Sequence, residues 1–282
     1  MQQFPVRSVV LGAGGLVGTA WTAGLATGLR RLGIDLAEAD QIVGTSAGAI
    51  AGAVLATGRD PAELAETPRP AATDVQLPPP DPRLLGRVFA VLGNKELEPD
   101  VARQRVGQIA LEMSAEHESV HVARMQRLIG SRHWPDTELL VVAVDALSGE
   151  REVFDKHGGV PLADAVVASR AMPGFYPPMT IEGRRFMDGG MHSSTNADLA
   201  AGARLLVAVH PLAHLFPAEL ESELRVAQPG TSILISPDEL SIGVFGDDPH
   251  SRANWTPAFE AGERQARTEA DRLEQVWADA AG

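Results

Sequence analysis

One serine in this chain lies in a setting that would make it a nucleophile. Ser46 is the centre of Gly44-Thr45-Ser46-Ala47-Gly48, a G-x-S-x-G pattern. A short predicted strand at 39–43 precedes it, and a run of small residues at 49–56 follows it. Strand, sharp turn and helix form the context in which this pattern exposes a serine hydroxyl, with Gly44 and Gly48 leaving room for a tight elbow. The alternative interpretation is a glycine-rich turn with an ordinary capping serine.

A serine nucleophile also needs hydrogen-bond donors for the oxyanion that forms during acyl transfer. Gly12-Ala13-Gly14-Gly15-Leu16-Val17-Gly18 follows a predicted strand at 6–11 and opens a helix predicted to end near Leu32-Gly33. Backbone N–H groups at the N-terminus of this helix, those of Ala13, Gly14 and Gly15, are the candidate donors.

The same loop allows a second interpretation, a dinucleotide-binding fingerprint or a catalytically silent scaffold. Gly12-Ala13-Gly14 has the right context, and Asp35 and Asp40 lie near the position of a ribose-binding acid. The third glycine of the fingerprint would, however, fall at Val17. The serine elbow nearby favours the oxyanion interpretation.

The catalytic base could be a histidine or a carboxylate. His192, His210, His214 and His250 come late in the chain, but none lies in a distinctive setting. Asp188-Gly189-Gly190 does, because it ends a predicted hairpin at 179–187, where the glycines let the backbone approach another element. An isolated Asp-Gly-Gly is usually only a turn.

A metal site is a third hypothesis. His117-Glu118-Ser119-Val120-His121 matches H-E-x-x-H in a segment predicted to be helical, where two imidazoles could bind zinc and Glu118 could act as base. Glu138 would be the nearest candidate for a third ligand. The neighbouring Glu112 and Glu116 favour instead a polar helix face.

Composition limits the other function classes. The chain has 282 residues, no cysteine and a formal net charge of −13. Disulfides and cysteine catalysis are therefore excluded, and nucleic acid is not an expected partner. No apolar run approaches the length of a membrane-spanning helix, and no signal peptide is visible, so a cytoplasmic location is expected.

The order of predicted elements is that of an α/β fold with a mainly parallel sheet. A strongly buried strand is predicted at 138–145, with a partner at 150–154, and two further strand candidates lie at 204–209 and 231–235. A proline-rich connector at 67–82 and a mostly helical stretch at 83–130 indicate a cap inserted between the two halves of the sheet. Alternating charges along a C-terminal helix, near 257–280, indicate a solvated face.

Three motifs in this order resemble the signatures of the patatin-like phospholipases. They are the glycine loop at 12–18, the elbow at 44–48 and Asp188-Gly189-Gly190. The segment Ala168-Ser169-Arg170-Ala171-Met172-Pro173-Gly174-Phe175-Tyr176-Pro177-Pro178 resembles the family's segment before its catalytic aspartate, and Trp134-Pro135 with the strand after it resembles bacterial members. The resemblance covers about residues 6–60 and 134–210. It departs from the family at Val17, where an arginine or lysine is usual, and at Ala13, where a loop glycine is usual.

The resemblance implies a serine lipid acyl hydrolase with a two-residue dyad. Ser46 would be the nucleophile, Asp188 the base, and Gly12, Ala13, Gly14 and Gly15 the oxyanion-hole loop, with no metal or organic cofactor. It also implies one three-layer α/β/α domain over 1–282, with its core at about 5–66 and 134–240, a helical cap at about 67–133 and a C-terminal helix at about 255–281. The expected partner is a lipid or other fatty-acyl ester, with transient membrane-surface contact. The sequence does not predict acyl specificity or oligomeric state.

Overall fold

A computed structural model describes residues 4–66 and 79–281 of the chain. Most of the predicted proline-rich connector lies outside these residues. The strands are β1 Arg7–Leu11, β2 Gln41–Thr45, β3 Glu138–Asp145, β4 Arg151–Phe154, β5 Met179–Ile181, β6 Arg184–Asp188, β7 Leu205–Val209 and β8 Thr231–Ile235. The helices are α1 Gly15–Arg31, α2 Ala47–Ala56, α3 Pro82–Leu92, α4 Pro99–Ala110, α5 Glu118–Ile129, α6 Leu162–Ser169, α7 Pro217–Ala227, α8 Glu239–Phe245 and α9 Trp255–Ala281.

The strands form one sheet in the order β5-β6-β3-β2-β1-β7-β8, and β4 also pairs with β3. The five strands from β3 to β8 in that order run parallel, whereas β4, β5 and β6 form antiparallel pairs. The mainly parallel sheet is therefore confirmed. In register, Leu11 lies beside Gly44, so the glycine loop and the serine elbow leave the sheet at the same edge.

Side chains alternate between the two faces of this sheet and meet a separate helical layer on each. Val9, Ile42 and Val141 belong to the larger core, which α1, α2, α6 and α9 complete. Val10 and Val43 face the other side, where α7 packs. Because every strand of this central region is covered on both faces, its residues are apolar at successive positions. The three-layer α/β/α architecture is confirmed.

The C-terminal helix α9 is part of this core. Trp255, Phe259, Leu273 and Trp277 are buried along its contact with α1, as are several alanines between them. The two backbones approach so closely that a Cβ on Gly24 would lie 1.9 Å from the carbonyl oxygen of Phe259. Most charged residues of α9 do form an exposed face, as predicted, but the sequence analysis missed the apolar stripe on the opposite face.

The helices α3 to α5 occupy most of the stretch predicted to form a cap. Val88 of α3 and Val106 of α4 pack with Val144 and Met187 at the end of β3 and β6. Met125 and Ile129 of α5 join the larger core. That these helices select the acyl chain of a substrate stays a prediction. Within the described residues, no helix combines the length and apolarity needed to cross a bilayer.

Candidate active site

Ser46 occupies a strained turn between β2 and α2. Its backbone has φ 55° and ψ −112°, a region that non-glycine residues rarely adopt. Strain of this kind persists only where the surrounding structure fixes it, and it concentrates at functional sites. The backbone N–H of Gly48 donates to the carbonyl oxygen of Gly12 at 3.1 Å, which joins the start of α2 to the glycine loop.

Asp188 lies at the end of β6 and directly opposite the serine. The hydroxyl of Ser46 donates to Oδ2 of Asp188 at 2.7 Å, across 142 residues of sequence. Oδ1 of the same carboxylate accepts from the N–H of Gly190 at 2.7 Å, so both oxygens are fixed. The hairpin of β5 and β6 positions Asp188 by pairing it with Ala143 of β3. The structure thus brings together the two residues that the motifs singled out.

The carboxyl group of Asp188 is almost completely withdrawn from water, with 4% of the residue exposed. Burial raises its pKa to about 6, because a charged carboxylate loses its hydration there. Hydrogen bonds from Ser46 and Gly190 and the positive charge of Arg170 stabilise the anion and oppose this rise. Asp188 is consequently ionised at neutral pH, but it binds a proton more strongly than an exposed aspartate.

The glycine loop presents two of its three candidate N–H donors, those of Gly14 and Gly15. The N–H of Gly12 donates to the carbonyl oxygen of Val209 at 2.9 Å, and that of Ala13 donates to Ser194 at 2.7 Å. These two groups are already engaged in holding the loop. Within the described chain, the N–H groups of Gly14 and Gly15 meet no acceptor. They lie at the N-terminus of α1, where backbone donors favour an anion.

Val17 cannot supply the positive charge of the arginine or lysine that is usual at its position. Its side chain is completely buried in the larger core, away from solvent. Its N–H donates to the carbonyl oxygen of Pro249, which belongs to the loop between α8 and α9. That loop therefore packs directly against the start of α1.

Sequence reasoning assigned no role to Ser169, which supports the elbow. Its Oγ accepts the backbone N–H of Ser46 at 2.9 Å, and the residue is fully buried. Two residues further on, the carbonyl oxygen of Ala171 accepts the N–H of Asp188 at 3.0 Å. The signal in the sequence was that Ser169 is a polar residue at the end of α6, a helix whose other residues are apolar except Asp164. The segment after α6 thus holds the backbone of both members of the pair.

We expect Ser169→Ala to lower kcat/KM about tenfold or more and to destabilise the fold, because it leaves a buried N–H at the elbow without an acceptor. Steady-state hydrolysis of an acyl ester and urea unfolding would measure the two effects. Ser241→Ala is the matched control: Ser241 is also fully buried and hydrogen-bonded, but to Gln265 in the C-terminal region. A Ser169→Ala variant that loses only as much activity as this control would contradict a positioning role.

The residues of the H-E-x-x-H pattern serve separate contacts. Glu118 accepts two hydrogen bonds from Thr180, at 3.1 Å from its N–H and 2.8 Å from its hydroxyl. His117 precedes α5 in a left-handed conformation, so the two histidines do not share one regular helix. Glu138 accepts from the side chain of Gln41. No group of three potential metal ligands occurs among the residues that the structure describes.

The acids of the nucleotide hypothesis are likewise engaged in the fold. Asp40 accepts the backbone N–H groups of Val6 and Arg7, and Asp35 caps the 3-10 helix that follows it. Of the late histidines, His210 lies 2.9 Å from the hydroxyl of Ser194 and His250 stacks on Phe175, whereas the hydroxyl of Ser46 donates to Asp188. The local geometry therefore favours the carboxylate as base.

Comparison with known proteins agrees with this geometry. A family model described as patatin-like phospholipase matches residues 9–201, which include the glycine loop, the elbow and Asp188. The chain belongs to the patatin-like phospholipase family, and this membership supports a lipid acyl hydrolase.

Two solved structures are similar at low identity. VipD from Legionella pneumophila is 14% identical, with a TM-score of 0.48, over 94% of this chain and 67% of VipD. The type III effector protein ExoU is also 14% identical, with a TM-score of 0.38, over 96% of this chain. This chain spans about half of the ExoU chain, 53%.

Proposed function

We propose that the protein is a serine acyl hydrolase of the phospholipase A or esterase type, which cleaves fatty-acyl esters through a dyad of Ser46 and Asp188. The observation that carries this proposal is the 2.7 Å hydrogen bond from the hydroxyl of a strained serine to a buried carboxylate. A nucleophile and its base must lie within this distance for proton transfer to accompany attack.

The reaction would proceed through an acyl-serine intermediate. As Ser46 Oγ attacks the carbonyl carbon, its proton passes to Oδ2 of Asp188, and the N–H groups of Gly14 and Gly15 stabilise the oxyanion. Collapse of the tetrahedral intermediate breaks the ester bond and expels the alcohol, which takes the proton from Asp188 and leaves the acyl-serine. A water molecule then attacks the acyl-serine and gives a proton to Asp188, and as the bond to Ser46 Oγ breaks, this proton returns to Oγ and the fatty acid leaves. The pair needs neither a histidine nor a metal for these steps.

The raised pKa of Asp188 predicts an acid limb in the activity. Because only the ionised carboxylate accepts the seryl proton, kcat/KM should fall as the pH drops, with a midpoint of about 6. The measurement is the pH dependence of kcat/KM for an uncharged ester, with circular dichroism at each pH to exclude unfolding. A midpoint near 4, the ordinary range of an aspartate, would show that burial does not tune this base.

The proposal is tested by covalent labelling. A fluorophosphonate should react with the wild-type protein, and mass spectrometry of its peptides should place the adduct on Ser46 and not on the buried Ser194. p-Nitrophenyl esters of increasing acyl length, with and without EDTA, then measure turnover and begin to define the chain preference. Labelling of another residue, or EDTA-sensitive hydrolysis that survives Ser46→Ala, would refute the serine mechanism.

A further inference from the structure

Arg170 is a positive charge next to the dyad. It lies between Ser169, whose Oγ binds Ser46 N–H, and Ala171, whose carbonyl oxygen binds Asp188 N–H. The side chain is half-buried, and it forms no hydrogen bond or ion pair with any residue that the structure describes. This is unusual in a protein whose formal net charge is −13, where most partly buried arginines have a carboxylate or carbonyl partner.

An aromatic ring contacts this guanidinium, whose charge also acts on the carboxylate of Asp188 without a hydrogen bond to it. The guanidinium stacks over the ring of Tyr176, 3.9 Å from the centroid, and Tyr176 in turn meets the edge of His121. Burial, together with the charge of Arg170, lowers the pKa of His121 to about 4, so that imidazole is neutral at pH 7. His250 behaves in the same way, with a pKa of about 4. Arg170 therefore supplies a positive charge to this cluster, and the charge of Arg124 also acts on His121.

The stacking arrangement leaves the guanidinium able to bind an oxyanion. Contact with Tyr176 occupies one face of the planar group, whereas its N–H donors point outward in the plane. A planar fork of this kind matches the paired oxygens of a phosphate or carboxylate, and such bonds strengthen where water is partly excluded. An ester carrying a negative charge near its scissile bond would find this cation when its carbonyl reaches Ser46.

We propose that Arg170 determines substrate specificity by binding an anionic phosphate or carboxylate group of the ester substrate, so that the protein selects anionic over neutral acyl esters. The inference rests on the proposed function, because it places the acyl carbonyl at Ser46.

The test compares pairs of esters that differ only in charge. 1-Oleoylglycerol 3-phosphate and 1-oleoylglycerol share the acyl chain and the scissile bond, and an O-oleoyl lactate tests a carboxylate in place of the phosphate. The measured quantity is the ratio of kcat/KM for each anionic ester to that for the neutral one, at pH 8. Arg170→Gln should lower this ratio by about 10- to 100-fold, the range of a charge-assisted hydrogen bond. Arg170→Lys should recover part of the ratio.

The matched control is Arg185→Gln. Arg185 is also half-buried and lies in the adjoining hairpin, but its side chain donates to the carbonyl oxygen of Pro178. The Arg185→Gln variant should have the same ratio of kcat/KM for the anionic and neutral esters as the wild type. An equal loss for both esters in Arg170→Gln would overturn the inference and assign Arg170 a positioning role. A wild-type preference for the neutral ester would overturn it as well.

Binding separates failure of this inference from failure of the proposed function. The Kd of 1-oleoylglycerol 3-phosphate is measured on Ser46→Ala and on Ser46→Ala/Arg170→Gln, neither of which can turn it over. A rise of tenfold or more in the Kd supports the anion site even if no ester is hydrolysed by the wild type. If the wild type hydrolyses the esters but Arg170→Gln changes neither the Kd nor the ratio of kcat/KM values, the proposed hydrolase activity stands and the role of Arg170 is rejected. If Arg170→Gln raised the Kd of 1-oleoylglycerol 3-phosphate and the Kd of 1-oleoylglycerol by the same factor, the result would contradict charge recognition.

Discussion

Ser46→Ala is expected to lower kcat/KM for an acyl ester by about 10⁴-fold or more, because no other hydroxyl replaces the nucleophile. Ser46 Oγ donates a hydrogen bond to Oδ2 of Asp188, and the backbone of the elbow holds the serine in this position. Alanine can keep the same backbone geometry. The variant should therefore unfold at close to the wild-type urea concentration. Steady-state kinetics and urea unfolding on the same preparations would measure both properties.

Asp188→Asn should lower kcat/KM by about 10³-fold or more, since an amide cannot accept the seryl proton. The same change should stabilise the fold. The pKa of Asp188 is raised in the folded state, so the folded protein binds this proton more strongly than the unfolded chain does. The resulting contribution to the free energy of unfolding is complete below pH 4 and is lost as the pH rises through about 6. At pH 8 the asparagine avoids the cost of a buried charge, and we expect a gain of about 2 to 3 kcal/mol in the free energy of unfolding.

The two variants together distinguish a dyad from a structural pair. Asparagine keeps an acceptor for the N–H of Gly190 and can donate to Ser46 after the hydroxyl rotates. Loss of activity with gain of stability is the pattern of a charge kept for function. If Asp188→Asn retained the activity of the wild type, Asp188 would not be the base. If it were less stable at pH 8, the carboxylate would be structurally required.

Gly48→Ala is a third change with a large expected effect, here on folding. A Cβ at this position would lie 1.8 Å from the carbonyl oxygen and 2.2 Å from the carbonyl carbon of Leu11. Both atoms belong to the backbone of β1, so no side chain can rotate away. We expect a loss of about 3 kcal/mol or more in the free energy of unfolding, measured by urea unfolding, with a matching loss of soluble protein.

Gly86→Ala is the control for this prediction. Gly86 lies within helix α3, and a Cβ there would meet no atom within 4 Å. Alanine should therefore leave stability unchanged or raise it by up to about 1 kcal/mol, because it favours the helix. A Gly48→Ala protein that unfolds at the wild-type urea concentration would show that β1 and α2 can separate without cost.

The sequence by itself predicted the sheet and the elements at its edge. The buried strand β3 is mostly apolar because helices cover both faces of the sheet. Both β3 and the more exposed β8 have the predicted bounds. The elbow was predicted from local chemistry, since small residues are required on both sides of a strained serine. Asp188 became a candidate through its glycines and the order of the motifs, and its catalytic role stays a prediction.

Only the tertiary structure decided which groups meet. The hydrogen bonds that the elbow donates to Ser169 and that Thr180 donates to Glu118 join segments far apart in sequence, and no local pattern encodes such a pairing. The buried stripe of α9 was missed because nine of the 27 residues of this helix are charged, and burial depends on what packs against the helix. The unpaired donors of Arg170 are of the same kind: no described residue accepts a hydrogen bond from its side chain, and which groups lie near it is a property of the fold.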